Sequence, residues 1–139
     1  MYWEALRWAS GAISVRKVEE DTVIGGRVLS AGGMVLMSLY AINTSPHLFG
    51  KDADNFVADR FVRDPAGLQH LKPFGGGQTL CPGRHFARNE IMAFVATILQ
   101  KFKISILPGQ TPAKPLTSGA NVGTFGPDQR ILATLELRR

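Results

Sequence analysis

The sequence predicts a mainly helical protein with small β-sheets, and three features of it lead to this fold class. Apolar side chains recur at helical spacing between Phe86 and Phe102, which indicates one long amphipathic helix. Short apolar runs before Asn43 are joined by glycine pairs, which is typical of hairpins. Residues 48–73 show little periodicity, so we expect a long irregular segment there. With 139 residues, 45% of them hydrophobic, the chain is predicted to be one domain, residues 1–139.

The elements of the N-terminal half follow from local patterns. Residues 1–8 are compatible with a helix that starts without a capping residue. A helical turn at residues 39–43 ends at Ser45-Pro46, because the residue before a proline is disfavoured in a helix. The predicted strands are residues 13–18, residues 23–28 around the turn Gly25-Gly26, and residues 34–39.

The elements of the C-terminal half begin with a loop of three glycines, Gly75 to Gly77, before the long helix. We place Pro82 in the first turn of that helix, where proline is tolerated. Residues 104–107 and 131–137 alternate apolar and polar side chains and are predicted strands. A segment rich in Gly, Pro and Thr connects them.

The charge of the chain is positive and unevenly distributed. Lys and Arg number 16 against 11 Asp and Glu, a net charge of +5, and most of the excess lies between Gln69 and Lys103. The chain has neither a Lys/Arg run nor the aromatic interleaving typical of a nucleic-acid groove. We therefore expect an acidic protein partner at this segment and no nucleic acid. Its basic residues are Lys72, Arg84, Arg88, Lys101 and Lys103.

The single cysteine and the short apolar stretches further limit the classes of protein to which the chain can belong. One cysteine, Cys81, excludes an internal disulfide and a multi-cysteine zinc site. The longest apolar stretches are far shorter than the ~20 residues of a membrane-spanning helix, and the start shows no signal peptide. We expect any membrane anchor to lie outside this chain.

Cys81 lies between the glycine loop and the predicted helix. A helix N-terminus has partial positive charge and free amide donors, which stabilise a thiolate, and the glycines let a flat, bulky group approach. A phosphatase nucleophile would need Arg six residues later, where the chain has Ala87, and a phosphate-cradling loop would need an absent lysine. Two alternatives remain open from the residues alone: zinc bound by Cys81 and His85 with His47 or His70, and a buried, unreactive cysteine.

The residues around Cys81 resemble the haem-binding signature of the cytochrome P-450 family. The matching pattern is Phe74-x-x-Gly77-x-x-x-Cys81-x-Gly83. The resemblance implies that Cys81 is the thiolate ligand to the iron of haem b and donates electron density that favours O–O cleavage. It also implies that Phe74 packs under the porphyrin, and that Gly75, Gly77 and Gly83 let the loop pass close to the ring.

One position of the signature departs from the family pattern. Thr79 stands where many members carry Arg or His to bind a haem propionate, and it can offer a hydrogen bond but no charge. A similar non-basic residue is found in the branch that includes sterol 7α-hydroxylases and prostacyclin synthase. The run Cys-Pro-Gly-Arg followed by an aromatic residue and Ala also resembles that branch.

Two upstream motifs resemble further parts of the same family. Glu4-Ala5-Leu6-Arg7 matches its Glu-x-x-Arg motif, and residues 56–61, which contain Arg60, resemble its later arginine motif. The resemblance implies that Glu4, Arg7 and Arg60 form one buried ion network that holds the irregular segment. Without the resemblance, Glu4 and Arg7 would be an exposed helix pair and Arg60 a solvated surface charge.

The resemblance also assigns roles near the cofactor and the substrate. Arg16 aligns with a strand arginine that contacts a haem propionate in many members, whereas its alternative is an ordinary surface charge. Arg84 either adds positive charge near the cysteine or lies on the surface of the helix. Residues 9–14 and residues 121–125 would face an apolar substrate, or else be plain connecting loops.

The resemblance covers nearly the whole chain but only the C-terminal third of the family's fold, including the cysteine loop and its long helix. We expect the parent protein to be a haem-thiolate monooxygenase that hydroxylates an apolar small molecule with O2. Electrons would come from an NADPH-dependent cytochrome P-450 reductase or another acidic donor, at the cytoplasmic face of the endoplasmic reticulum. The alternatives are a haem-thiolate isomerase or dehydratase, which needs no reductase, and a truncated, inactive remnant, since the chain lacks the central oxygen-activation helix.

Overall fold

The computed structural model describes residues 1–118 and 123–139, and these residues form two compact units. The first unit comprises Met1–Pro73 with the described part of Thr117–Phe125, and the second comprises Phe74–Leu116 with Gly126–Arg139. The described residues contain three two-stranded antiparallel sheets among several helices. This mixture of helices and small sheets agrees with the predicted fold class.

The first unit begins with a helix and two hairpin-like strand pairs. Strand β1 (Ile13–Lys17) pairs with β4 (Met34–Ser38), and β2 (Thr22–Ile24) pairs with β3 (Arg27–Leu29). Gly25 and Gly26 lie between β2 and β3, and their φ angles of 58° and 75° are in the left-handed region. The predicted glycine turn is therefore present. The elements are α1 (Tyr2–Ala9), β1 (Ile13–Lys17), β2 (Thr22–Ile24), β3 (Arg27–Leu29), β4 (Met34–Ser38), α2 (Leu39–Asn43), α3 (Pro46–Phe49), α4 (Arg60–Arg63) and a 3₁₀ helix (Pro65–His70).

The segment of residues 48–73 contains more regular structure than the sequence predicts. Helix α4 and the 3₁₀ helix lie within it, and α3 starts at Pro46, where we expected helical structure to stop. The prediction was wrong at these points because each helix is at most six residues long, too short for an apolar repeat to be visible. Proline at a first helical position loses no hydrogen bond, so Pro46 can begin α3 two residues after the Thr44 cap of α2.

The second unit contains the long helix and the C-terminal hairpin. Its elements are a 3₁₀ helix (Gly77–Thr79), α5 (Arg84–Lys101), β5 (Phe102–Ile106) and β6 (Ala133–Leu137). Strands β5 and β6 pair in antiparallel register, with Phe102 opposite Leu137. Pro82 precedes the helix rather than lying in its first turn, because Gly83 is the cap and its carbonyl accepts the hydrogen bond of the Ala87 N–H at 2.9 Å.

The two units differ in how much they bury. The buried apolar side chains that the structure describes all belong to the first unit, whereas the described residues of the second unit include no buried side chain. The apolar stripe of α5 is exposed, as Phe86, Phe94 and Leu99 illustrate. Among the described residues, no helix is long and apolar enough to cross a membrane. The buried apolar side chains are Val18, Leu39, Phe49, Ala53 and Leu71.

Candidate functional site

The segment before Cys81 is a tight loop closed by its own backbone. The Cys81 N–H donates to the carbonyl oxygen of Phe74 at 3.0 Å, which joins the two ends of the loop. Between them, Gly75 and Gly77 have φ angles of 77° and 64°. Side chains other than glycine are strained in this left-handed region. The glycines predicted to shape the loop are therefore required by its backbone conformation at two positions.

The start of α5 places positive charge beside the backbone of Cys81. The Arg84 N–H lies 3.4 Å from the Cys81 carbonyl oxygen, and Nη1 of the Arg84 side chain donates to the same oxygen at 3.0 Å. Of the two roles considered for Arg84, the contact favours charge near the cysteine. The helix N-terminus adds partial positive charge in the same place.

The Cys81 side chain is half-buried, and its loop leaves open space. A Cβ added at Gly76 or Gly77 would meet no described atom within 4 Å. The role of Cys81 as a ligand stays a prediction. A zinc site gains no support, since the described residues contain no group of three His, Cys, Asp or Glu that could hold a metal. A soft sulfur ligand beside a loop with open space fits the requirements of haem iron.

Phe74, Gly83, Thr79 and Arg16 are the remaining residues expected at the cofactor. Phe74 is half-buried, and a Cβ added at Gly83 would lie 3.9 Å from Cys81 Sγ. Thr79 is exposed, and its Oγ1 lies 3.5 Å from the Gly76 carbonyl oxygen. Arg16 lies exposed in β1 with Nη1 donating to the Val15 carbonyl at 2.8 Å. The cofactor contacts expected of these four residues stay predictions.

The structure brings Glu4, Arg7 and Arg60 together in the first unit. Arg7 donates from Nε to Glu4 Oε2 and from Nη2 to Glu4 Oε1, both at 2.8 Å. Arg60 Nε lies 3.2 Å from each oxygen of the same carboxylate. Glu4 and Arg7 are both 0% exposed, so the pair is a buried ion network rather than an exposed helix pair.

The network also holds the irregular segment through backbone groups. The guanidinium groups of Arg7 and Arg60 donate to carbonyl oxygens of the segment from residue 43 to residue 55. The Val57 N–H donates to Glu4 Oε1 at 2.9 Å. Each buried charge thereby has several hydrogen-bond partners, which is the condition for tolerating it. The accepting carbonyls belong to Asn43, Phe49, Asp52, Ala53 and Asn55.

Asp52 belongs to this network, and the sequence interpretation missed it. Arg60 Nη1 donates to Asp52 Oδ1 at 2.7 Å, and the Asp52 side chain is 51% exposed. The charges of Glu4, Arg7, Asp52 and Arg60 then sum to zero. The available signal was that imbalance: two arginines and one glutamate leave one positive charge to be paired, and a nearby aspartate is the simplest partner.

The network shifts the titration of its members. Burial by itself raises the pKa of Glu4, but hydrogen bonds from Arg7 and the Val57 N–H, with the charge of Arg7, outweigh it and hold this pKa below the usual range. The hydrogen bond from Arg60 lowers the pKa of Asp52 despite some desolvation. Burial alone would lower the pKa of Arg60, but its bonds to Asp52 and Glu4 raise it overall. Glu4, Asp52 and Arg60 are therefore charged at neutral pH.

Comparison with known proteins identifies the family of the chain. The family model for cytochrome P-450 matches residues 1–130. The chain belongs to the cytochrome P-450 family. It is 31% identical to the cytochrome P-450 monooxygenase nodJ of Hypoxylon pulicicidum, over 99% of this chain and 29% of that protein. It is 33% identical to the farnesoate epoxidase of Bombyx mori, over 72% of this chain and 22% of that protein.

Solved structures of cytochromes P-450 agree with the fold. The retinoic acid-bound cyanobacterial CYP120A1 superposes with a TM-score of 0.78 and 26% identity, over 98% of this chain and 32% of that chain. CYP102L1 superposes with a TM-score of 0.75 and 30% identity, over 97% of this chain and 30% of that chain. The chain thus spans less than a third of the length of these relatives. The similarity to the branch of sterol 7α-hydroxylases and prostacyclin synthase stays a prediction.

Proposed function

We propose that residues 1–139 provide the haem-thiolate segment of a monooxygenase, with Cys81 as the axial ligand to the iron of haem b. The observation that carries the proposal is the loop from Phe74 to Cys81. It is closed by a backbone hydrogen bond, contains two glycines in the left-handed region, and ends in a half-buried thiol at the start of α5. Membership of the cytochrome P-450 family supports the same assignment.

When bound, haem would supply the reductive activation of O2. Cys81 would bind the iron, and Phe74 would contact the ring. Gly75, Gly77 and Gly83 would let the loop approach it, and Arg16 and Thr79 would hold the propionates. The protein's own contribution at the sulfur is electrostatic. The N-terminus of α5 and the guanidinium of Arg84, which donates to the Cys81 carbonyl oxygen, place positive charge near this residue.

Glu4, Arg7, Asp52 and Arg60 are proposed to act as a scaffold and not at the reacting atoms. Their bonds fix the backbone from residue 49 to residue 57. A buried, fully paired charge set can hold an irregular segment in one geometry. The scaffold role therefore needs no contact with the cofactor.

The proposed partners are an acidic electron donor, such as an NADPH-dependent cytochrome P-450 reductase, together with O2 and an apolar small molecule. Residues 9–14 and 121–125 are proposed to face that molecule, and residues 121 and 122 lie outside the described residues. Lys72 and Arg88 contribute to the positive charge that would accelerate encounter with such a donor. Reversing both charges is expected to slow electron transfer and flatten its salt dependence, whereas unchanged kinetics would argue against this partner. We place the parent protein at the cytoplasmic face of the endoplasmic reticulum.

The reaction class is tested by following oxygen. A complete haem-loaded protein that contains residues 1–139 is supplied with an electron donor, ¹⁸O2 and retinoic acid, the compound bound to one structural relative. A monooxygenase places one ¹⁸O atom in the product and loses this activity in the Cys81→Ser variant. A product that forms without O2 or reductant would instead indicate the isomerase or dehydratase alternative.

A further inference from the structure

Residues 81–84 form a tight turn that joins the cysteine loop to α5. The ring of Pro82 restricts φ to about −65°, which suits the first central position of a type I β-turn. Gly83 has φ −77° and ψ 0°, close to the roughly −90° and 0° of the second central position. The Arg84 N–H and the Cys81 carbonyl oxygen, the closing groups of such a turn, lie 3.4 Å apart. The chain therefore enters α5 through a type I turn that begins at Cys81.

The backbone closes this turn weakly, and the Arg84 side chain reinforces it. A separation of 3.4 Å is longer than the usual N–H to oxygen distance of about 2.9–3.0 Å. Nη1 of Arg84 donates to the same Cys81 carbonyl oxygen at 3.0 Å, and the side chain is half-buried. Hydrogen bonds from charged donors are stronger than those between neutral groups. The guanidinium is therefore the stronger of the two donors to this carbonyl oxygen.

Cys81 is consequently held on both sides of its Cα atom. Its N–H donates to the Phe74 carbonyl at 3.0 Å, and its carbonyl accepts from Arg84. Fixing both peptide groups fixes the direction of the Cα–Cβ bond, which leaves only side-chain rotation to the sulfur. A Cβ added at Gly83 would lie 3.9 Å from Cys81 Sγ, so the sulfur lies beside the same turn.

The stability of α5 does not explain an arginine at this position. Arg84 is the first residue of the helix, and the first turn contains no acidic residue. A cation at a helix N-terminus is unfavourable, because that end of the helix carries partial positive charge. The contact with the Cys81 carbonyl gives the arginine a use that outweighs this cost.

We propose that Arg84 is a positioning residue for Cys81: its guanidinium holds the 81–84 turn closed and thereby keeps the sulfur directed at the iron when haem is bound. The inference rests on the proposed function, in which Cys81 is the axial ligand. It goes beyond that function because Arg84 lies outside the pattern from Phe74 to Gly83 that carries the resemblance. Arg84 acts through the backbone of Cys81 and not on the reacting atoms.

The test compares three variants of a complete haem-loaded protein that contains residues 1–139. Arg84→Ala removes the guanidinium, and Arg84→Lys keeps a charged donor on a long side chain. Arg88→Ala is the matched control, because it removes the same side chain from an exposed position one turn further along α5. Haem is reduced chemically, so no readout depends on an electron-donor protein.

The first readout is hydrogen exchange at two backbone amides. The Cys81 amide, which is bonded to Phe74, reports the cysteine loop, and the Ala87 amide, which is bonded to the Gly83 carbonyl, reports the start of α5. Arg84→Ala should accelerate exchange at Cys81 about tenfold, the size expected for the loss of a hydrogen bond from a charged donor. It should leave Ala87 unchanged, because alanine favours the helix and loss of the cation relieves the helix dipole.

The second readout is the lifetime of thiolate ligation. In the reduced, CO-bound protein, the red-shifted Soret band of the thiolate complex is followed over time in dilute urea. Arg84→Ala should lose this band about tenfold faster than the unaltered protein, and Arg84→Lys should show smaller changes in both readouts. Arg88→Ala should match the unaltered protein.

The other outcomes decide against the inference or against the proposed function. An unchanged band lifetime in Arg84→Ala would overturn the inference, as would equal effects of Arg84→Ala and either other variant. Acceleration at Ala87 as large as at Cys81 would also overturn it, because the arginine would then serve the helix. An unaltered protein that binds haem without the thiolate band would overturn the proposed function instead, and the exchange data would still decide whether Arg84 holds the turn.

Discussion

The ion network of the first unit and the cysteine loop of the second unit differ in burial and in the space that they leave open. In the network, Glu4 and Arg7 are completely buried and every charge has several partners. In the loop, Cys81 is half-buried, and Gly76 and Gly77 leave open space beside the backbone. A scaffold has to satisfy all its polar groups internally. A cofactor site has to leave a ligand atom and space available.

The comparison predicts which property of the protein a substitution should change first in each of the two regions. Changes in the network should act first on stability, because they leave a buried charge without its partner. Changes in the loop should act first on cofactor binding or local order, because a backbone hydrogen bond and two glycines in the left-handed region determine its conformation. The predictions below test this division.

The largest effect on stability is expected for Glu4→Gln. This change leaves the buried Arg7 and the mostly buried Arg60 without their shared carboxylate, and breaking a buried pair in this way costs about 3–5 kcal/mol. The measurement is the free energy of unfolding in urea. Glu19→Gln is the control, since the Lys17–Glu19 pair is exposed and should contribute less than about 1 kcal/mol. Equal effects of both changes would contradict a buried network.

Acid should weaken the network. The pKa values of Glu4 and Asp52 are lowered in the folded protein, so the unfolded chain binds more protons at mildly acidic pH. Their stabilisation is complete above the ordinary carboxyl range near pH ~4 and is lost as the pH falls through the lower folded pKa values. Urea midpoints at several pH values should fall steeply there. An identical pH slope in Asp52→Asn would show that Asp52 does not contribute.

Asp52→Asn should destabilise the first unit less than Glu4→Gln but more than Asp59→Asn. Asp52 accepts a 2.7 Å bond from the mostly buried Arg60, but its own side chain is half-exposed, so water replaces part of the lost interaction. Asp59 is the matched control, because its 2.9 Å pair with Arg63 is exposed on both sides. Unfolding midpoints of the three variants give the order. A shift for Asp52→Asn no larger than that of Asp59→Asn would remove Asp52 from the network.

Gly77→Ala and Gly76→Ala form a matched pair in the cysteine loop. An added Cβ meets no described atom within 4 Å at either position, but Gly77 has φ 64° and Gly76 is extended. Only Gly77→Ala should carry the ~1–2 kcal/mol penalty of the left-handed region. Hydrogen exchange of the Cys81 amide, which is bonded to Phe74, should accelerate in that variant alone. Equal acceleration in both variants would mean that backbone conformation does not maintain the loop.

Much of the fold was predictable because local chemistry determines it. The glycine pair Gly25-Gly26 predicted the β2–β3 turn, and the apolar repeat from Phe86 to Phe102 predicted α5. Glu4 and Arg7 are three residues apart, so a helix necessarily puts them on one face. In each case the information lies within a few residues of the element.

The remaining features depend on contacts between distant segments. The close approach of the Phe125 ring to Gly11 is visible only in the folded chain, because a single glycine carries no pattern. Helices α3 and α4 are four residues long, too short for periodicity to reveal. The Asp52 bond to Arg60 depends on the path of the irregular backbone between them. These features belong to tertiary structure and not to local propensity.

The central claim is that Cys81 ligates haem iron, and the most direct test is the absorbance spectrum of the reduced, CO-bound protein. A complete protein containing residues 1–139 is loaded with haem and compared with its Cys81→Ser variant. We expect the red-shifted Soret band of a thiolate-ligated ferrous CO complex in the first and its loss in the variant, with the urea midpoint of the first unit retained in both. Bound haem without that band in the unaltered protein would contradict the assignment of Cys81.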